Sequence, residues 1–322
     1  AMGLEENCFE DTTLFTCTDP FYVPLSETAR IKVSCWHYGG HGTVTFRSGL
    51  QQSCNPTLMQ IGAKIGADNY RKYFEAFGYF EKTGIDISGE SVTTKGVTFW
   101  DDKTFESSDI YLATASFGQN FKISPIQQIM AVTAVANGGY LMTPHMVKEV
   151  LDSEGNVIRT YAPDTRRQII SSSTSKKLAE VLEQGVSGGA GAKNAYVAGY
   201  RVAAKTGTSE KKERECPKCG STGVPQTVGE RVQYICSICK YTGEADDFPV
   251  SEKCICSTVA YAPADDPQIA VLIMVDEPTR GSLHGSTVAA PYVGNVLEKA
   301  LPHLGVEAIY SPEELEDMRI KV

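Results

Sequence analysis

Two apolar runs set the frame of this chain. Residues 257–262 and 268–275 are separated only by Pro263-Ala264-Asp265-Asp266-Pro267. A turn that short cannot carry the crossover that parallel strands need, so the two runs pair antiparallel. In the second run, Ile269-Ala270-Val271-Leu272-Ile273-Met274-Val275 is apolar almost without a break. That pattern suits a strand covered on both faces and predicts a central strand.

A third strand precedes them at Tyr200-Arg201-Val202-Ala203-Ala204-Lys205. Its side chains alternate, and it then presents Lys205, Thr206, Gly207 and Thr208 in succession. A cation, two hydroxyls and a residue without a side chain are what a strand edge needs to hold an anionic group and let a substrate backbone approach. A second Lys-Thr-Gly stands at Lys82-Thr83-Gly84, but turn residues rather than a strand run flank it. It is read as a loop without that role.

The 322 residues allow one large domain or two ordinary ones, and 42% apolar with 21% charged residues is the composition of a soluble globular chain. A net charge of -9 and the absence of a basic run argue against a nucleic-acid surface. No apolar stretch reaches transmembrane length, and no signal peptide is visible. The opening Ala1-Met2-Gly3 does not look like a natural start, so a targeting segment is expected to be lost rather than never needed.

Residues 1–50 read as short strands and turns. Cys17 and Cys35 lie at the ends of two such strands, where they either bridge or remain as free, half-buried thiols. His41, inside the turn Gly39-Gly40-His41-Gly42, is read as structural. Helical periodicity starts near Phe46, breaks at Ser53-Cys54-Asn55-Pro56, and resumes with Asn55 as cap and Pro56 at the first position. Ser53 and Asn55 project into one space at this junction, yet spacing alone favours reading both as helix caps. Asp68 is expected to cap a further helix with Tyr70, Tyr73, Phe74 and Phe77 in the core. Helices are predicted over 124–137 and 173–187, with a hairpin over 140–159 between them, and a last helix over 287–300.

The ten cysteines fall into an early and a late group. In the late group, Cys216-Pro217-Lys218-Cys219 and Cys236-Ser237-Ile238-Cys239 form two C-x2-C pairs within a polar segment, 210–253. Two such knuckles converge on one tetrahedral Zn²⁺ in ribbon modules. Two disulfides are the competing reading. Zinc is favoured because vicinal C-x2-C pairs make strained bridges. Cys254 and Cys256 are too close in sequence for an ordinary bridge and offer alternative ligands.

Ser53-Cys54-Asn55 opens a helix, Gly118-Gln119 precedes the helix of Ser124-Pro125-Ile126-Gln127, and Lys205-Thr206-Gly207-Thr208 lies on a strand followed by a core hairpin. As a set these closely resemble the transpeptidase domain of class B penicillin-binding proteins, especially the sporulation and cell-division type of Gram-positive bacteria. The resemblance covers nearly the whole chain outside 210–253. It implies an α+β fold of the serine β-lactamase/transpeptidase type: a five-stranded antiparallel sheet covered by helices, with a helical subdomain. The zinc-ribbon-like module would be an insertion. Residues 1–209 and 254–305 would then form the transpeptidase domain, and 306–322 a connector of the kind that leads into small C-terminal PASTA modules.

The resemblance further implies acyl transfer from peptidoglycan stem peptides ending in D-Ala-D-Ala, with β-lactams acylating the same serine. Ser53 would relay a proton to the leaving amine and Asn55 would hydrogen-bond the substrate amide. Lys205 would favour the anionic substrate. Thr206 and Thr208 would bind its carboxylate, with Gly207 between them, and the Thr208 N–H would supply half of an oxyanion hole. The expected setting is the extracytoplasmic face of the cell membrane, beside a membrane glycosyltransferase. No catalytic cofactor is implied.

One departure stands out. The family's Ser-x-x-Lys motif precedes Ser-x-Asn, but residues 1–52 contain none. The matches at Ser173, Ser209 and Ser237 have neither the order nor the context. The expectation is a chain truncated just after that motif and inactive by itself. The alternative is a non-catalytic module that binds cell-wall peptide or a partner.

Overall fold

The computed structural model describes residues 1–24, 30–229 and 231–309. Most of the expected connector and the charged tail lie outside the described residues. The predicted hairpin is present: Cys254–Ala262 pairs antiparallel with Ile269–Asp276, with Ala260 opposite Val271. The Lys205 strand, Ala203–Glu210, pairs with the other side of Cys254–Ala262, placing Thr258 opposite Thr206 and Cys256 opposite Thr208.

Two expectations are corrected here. Among the described residues this sheet has three strands rather than five, and its centre is Cys254–Ala262. Ile269–Asp276 is an edge strand whose residues are mostly half-buried. Its apolar continuity reflects the helix Ala290–His303 packed on the sheet: Val293, Leu297 and Leu301 meet Ala260, Ala262 and Val271 in one core. Outside the 210–253 segment the remaining strands form separate two-stranded ribbons, including Leu14–Cys17 with Gly42–Thr45.

A second core is aromatic and helical. Phe15, Phe46, Tyr70, Phe74, Phe99 and Phe105 gather there with Ile61, Ile65 and Leu112. Tyr73 and Phe77 are buried beside it, as expected of that helix. The helix Ser172–Ser187 joins the two cores, giving Leu178 and Val181 to one and Val186 to the other. Burial of this kind stabilises by about 25 cal/mol per Å² of apolar surface, so the shared helix couples the halves energetically.

Local signals explain most element boundaries. Ser124 and Gln127 form a reciprocal capping box at the start of Pro125–Ala136. Gln127, fully buried, also donates to the carbonyls of Tyr79 (2.7 Å) and Glu81 (3.2 Å), pinning the loop that holds Lys82-Thr83-Gly84. That tripeptide lies outside any strand. Cap positions shift slightly: Cys54, not Asn55, caps Asn55–Ile65, and Gly66, not Asp68, precedes Ala67–Ala76. The hairpin expected over 140–159 is nested. Glu149–Leu151 pairs with Val157–Thr160, while Tyr140–Thr143 reaches past it to Asp164–Gln168.

The polar segment between the Lys205 strand and its partner is a four-stranded antiparallel sheet of Arg214–Glu215, Thr222–Val228, Arg231–Cys236 and Thr242–Gly243. It grows from the far end of the ladder, where Glu210 pairs with Cys254. No helix among the described residues is long and apolar enough to cross a membrane.

Candidate active site

Ser53 sits in the break between Phe46–Gln51 and Asn55–Ile65, at a φ of 51°. A non-glycine residue in the left-handed region is uncommon and is held there by its surroundings. The holding groups are identifiable. Gln51 donates from its amide to the Val181 carbonyl (2.9 Å), and its own carbonyl accepts from Gly191 N–H (3.3 Å). Trp36 Nε1 donates to the Gln52 carbonyl (2.8 Å). Cys54 N–H donates to the Gly49 carbonyl (2.9 Å).

This geometry aims the Ser53 hydroxyl at Lys205, whose Nζ makes a close hydrogen bond to Ser53 Oγ and donates to the Thr206 carbonyl (2.9 Å). The two residues are 152 positions apart in sequence, so their meeting is a property of the fold. Burial lowers the Lys205 ammonium from 10.5 to about 8. It therefore remains mainly charged at neutral pH. Asn55 occupies the first turn of the next helix, and its side chain makes no hydrogen bond among the described residues.

The Lys205 strand is an edge strand on the side facing this junction. The Thr208 carbonyl accepts from Gln119 Nε2 (3.2 Å) across that free edge. In an antiparallel ladder a residue's N–H and C=O point the same way, so the Thr208 N–H also faces the edge. The Thr206 hydroxyl has no hydrogen-bond partner among the described residues. The Thr208 hydroxyl accepts from Gly285 N–H (3.1 Å), which leaves its proton free to donate outward. The groups predicted at 53, 55 and 205–208 thus share one junction and strand edge.

Gln119 and Gly285 were not assigned roles from sequence. Gln119 entered the sequence reading only within Gly118-Gln119, with no role attached, and Gly285 looked like one of several glycines in a loop. A Cβ on Gly285 would lie 2.4 Å from both the Gly207 and Ser257 carbonyl oxygens. Gly285→Ala is therefore expected to destabilise the domain by about 1–3 kcal/mol, measured by denaturant unfolding, because backbone rather than a flexible side chain must yield.

Residues 1–224 match the sequence profile of the family "Penicillin binding protein transpeptidase domain". The chain belongs to that family. Stage V sporulation protein D of Bacillus subtilis is 35% identical over 283 residues, covering 88% of this chain and 38% of that protein. The peptidoglycan D,D-transpeptidase MrdA of Haemophilus influenzae is 24% identical over 305 residues, covering 91% of this chain and 42% of that protein. The chain thus spans roughly two-fifths of the length of these relatives. Its fold is that of the D,D-transpeptidase domain from Eggerthella lenta, at a TM-score of 0.70 and 22% identity, with 95% of this chain and 63% of that chain covered.

Two cysteine groups lie apart from the strand edge. Cys216, Cys219, Cys236 and Cys239 bring their sulfurs within 4.8 Å of one another. Cys17 and Cys35, the candidate disulfide, are free and buried, because the His41 ring sits against both sulfurs and Cys54 adds a third thiol. Cys254 and Cys256 sit on the central strand, outside the quartet.

Proposed function

We propose that this domain is the peptidoglycan D,D-transpeptidase part of a sporulation-type penicillin-binding protein, acting at the extracytoplasmic face of a membrane beside a glycosyltransferase. The observation that carries the reading is the Lys205–Ser53 contact at an edge strand presenting Thr206 and Thr208. A stem peptide ending in D-Ala-D-Ala lies along that edge. Its terminal carboxylate receives hydrogen bonds from the Thr206 and Thr208 hydroxyls within the field of Lys205. Asn55 binds the substrate amide, and Gly207 removes a Cβ from the path of the peptide.

In the reaction a serine oxygen attacks the penultimate D-Ala carbonyl and the developing oxyanion is held in part by the Thr208 N–H. Ser53, exchanging its proton with Lys205, protonates the departing D-Ala amine. An amine of a neighbouring stem then attacks the acyl-enzyme. Residues 1–52 hold no Ser-x-x-Lys, so the acylated serine is assigned to no residue of this chain. Within these 322 residues the Ser-x-Asn and Lys-Thr-Gly motifs are present, and β-lactam labelling of the expressed protein tests whether an acylated serine accompanies them. That protein should be labelled by fluorescent penicillin, and acyl-D-Ala-D-Ala should compete. A folded protein that takes no label is instead a non-catalytic peptide-binding module.

The pH dependence follows from Lys205. Its cation is lost as pH rises through about 8. Non-covalent affinity for an acyl-D-Ala-D-Ala peptide is expected to weaken over that range in titration calorimetry. Lys205→Ala should bind more weakly and show no such step.

Residues 210–253 are proposed as an inserted zinc-ribbon module with Cys216, Cys219, Cys236 and Cys239 as ligands. Sulfur separations of 3.5 Å (Cys216 to Cys239) and 3.4 Å (Cys219 to Cys236) fit a tetrahedral ZnS₄ site, whose edges are about 3.8 Å for Zn–S bonds of 2.3 Å. Cys239 N–H donates to the Cys236 sulfur (3.3 Å), as a metal knuckle requires. The Lys122–Glu213 ion pair (2.9 Å) ties the module to the loop carrying Gln119, which supports a place beside the cleft.

A further inference from the structure

The second cysteine group is unlike the first in having no sequence signature at all. Cys17 ends the strand Leu14–Cys17, Cys35 follows Arg30–Val33, His41 precedes Gly42–Thr45, and Cys54 caps Asn55–Ile65. Four separate segments therefore converge, and one donor atom from each lies within 4.8 Å of the others. His41 Nδ1 is 3.6 Å from Cys17 Sγ and 3.3 Å from Cys35 Sγ. A tetrahedral zinc with Zn–S of 2.3 Å and Zn–N of about 2.05 Å would separate such atoms by about 3.5 Å.

We propose that Cys17, Cys35, Cys54 and His41 form a structural metal site for a borderline-soft divalent cation, Zn²⁺ foremost, that fixes the backbone of Ser53 and Asn55. The donor set, three thiols and one imidazole, is that of closed structural zinc centres. Three thiols cannot be consumed in disulfides, since any pairing leaves one over. All three are buried, Cys54 completely, so the group is shielded from solvent. The surroundings behave as an outer shell: the Thr57 hydroxyl donates to Cys54 Sγ (3.1 Å), and Cys35 N–H donates to Asp19 Oδ1 (3.3 Å). His41 Nε2 is buried without a partner, so the ring's polar engagement is through Nδ1, toward the sulfurs. The Trp36 ring packs edge-on to His41 at 5.3 Å, while its Nε1 holds the Gln52 carbonyl next to Ser53. Cys54 itself stands between Ser53 and Asn55. A cation bound there ties the second motif to the end of Leu14–Cys17 and the start of Gly42–Thr45.

Titration of the metal-free, reduced protein with Co²⁺ tests this, because thiolate charge-transfer and visible bands count sites and separate S₃N from S₄ coordination. Two equivalents are expected. Replacing Cys216, Cys219, Cys236 and Cys239 with serine should leave one, of S₃N type, and amide exchange over residues 52–57 should slow as it fills. Adding Cys35→Ser should weaken that equivalent by at least about 10²-fold, and Cys35→His should restore it. A quartet variant that binds no Co²⁺, or that carries an intramolecular disulfide between Cys17 and Cys35 after purification under reducing conditions, overturns the proposal. Should that variant fail to fold, ¹¹³Cd resonances of the unaltered protein decide: separate S₄ and S₃N signals support the site, and an S₄ signal alone refutes it.

Discussion

Replacing Lys205 with alanine is expected to slow penicillin acylation of the whole protein by roughly 10²–10⁴-fold, the range for loss of a positioned proton-transfer group. The effect has two sources in the geometry. Lys205 is the hydrogen-bond partner of Ser53, so its loss leaves the proposed relay without the group it would exchange protons with. It is also the cation beside Thr206 and Thr208, so the substrate carboxylate loses its counter-charge. Stopped-flow labelling at saturating and sub-saturating penicillin separates these. Loss of the proton role lowers the limiting rate, whereas loss of the counter-charge raises the concentration needed to reach it. Lys205→Arg should keep part of the second function and little of the first, because an arginine stays protonated.

The second large effect concerns the inserted module. Stripping the metal proposed for it, or replacing Cys216 and Cys236 with serine, should abolish amide-exchange protection across residues 214–243. Protection of the strands Ala203–Glu210, Cys254–Ala262 and Ile269–Asp276 should survive near the hairpin turn at 263–267. The reason is the size of the module's own core, which consists of Cys216, Cys236 and Phe248 with Tyr234 and Tyr241 against them. A segment this small does not bury enough apolar surface to fold alone and needs a staple. Structural zinc supplies about 10–16 kcal/mol in small modules of this kind. Protection that persists in a chelator, together with four thiols missing from a thiol count, would identify disulfides instead.

Much of this architecture was legible in the sequence, for reasons that can be named. The helix Pro125–Ala136 was read nearly to the residue because Ser124, Pro125 and Gln127 each act locally. The hairpin of Cys254–Ala262 and Ile269–Asp276 was legible because its turn admits one pairing. Which strand is central was not. Apolar continuity reports contact with a covering helix, here Ala290–His303, as readily as position in a sheet. Of the hairpin predicted over 140–159, the inner pair Glu149–Leu151 and Val157–Thr160 was legible, but the partner of Tyr140–Thr143 was not, because periodicity finds strands without naming their partners.

The strand edge divides in the same way. Lys205, Thr206 and Thr208 are consecutive and announce themselves. Ser53 was legible only through its distance of two from Asn55, and spacing alone could not separate a relay from a helix cap. The left-handed backbone at Ser53 and its contact with Lys205 are long-range consequences of Gln51 and Trp36. Cys54 received no role from sequence, and His41 only a structural one within its turn, because their partners come from distant segments.

The most direct test of the central claim is a crystal structure of the whole protein acylated by a penicillin. The expected result places the drug's carboxylate within about 3 Å of the Thr206 and Thr208 hydroxyls, a hydrogen-bonding distance, with Ser53 and Lys205 in contact beside it. A carboxylate bound elsewhere, with the edge of Ala203–Glu210 empty, would contradict the account.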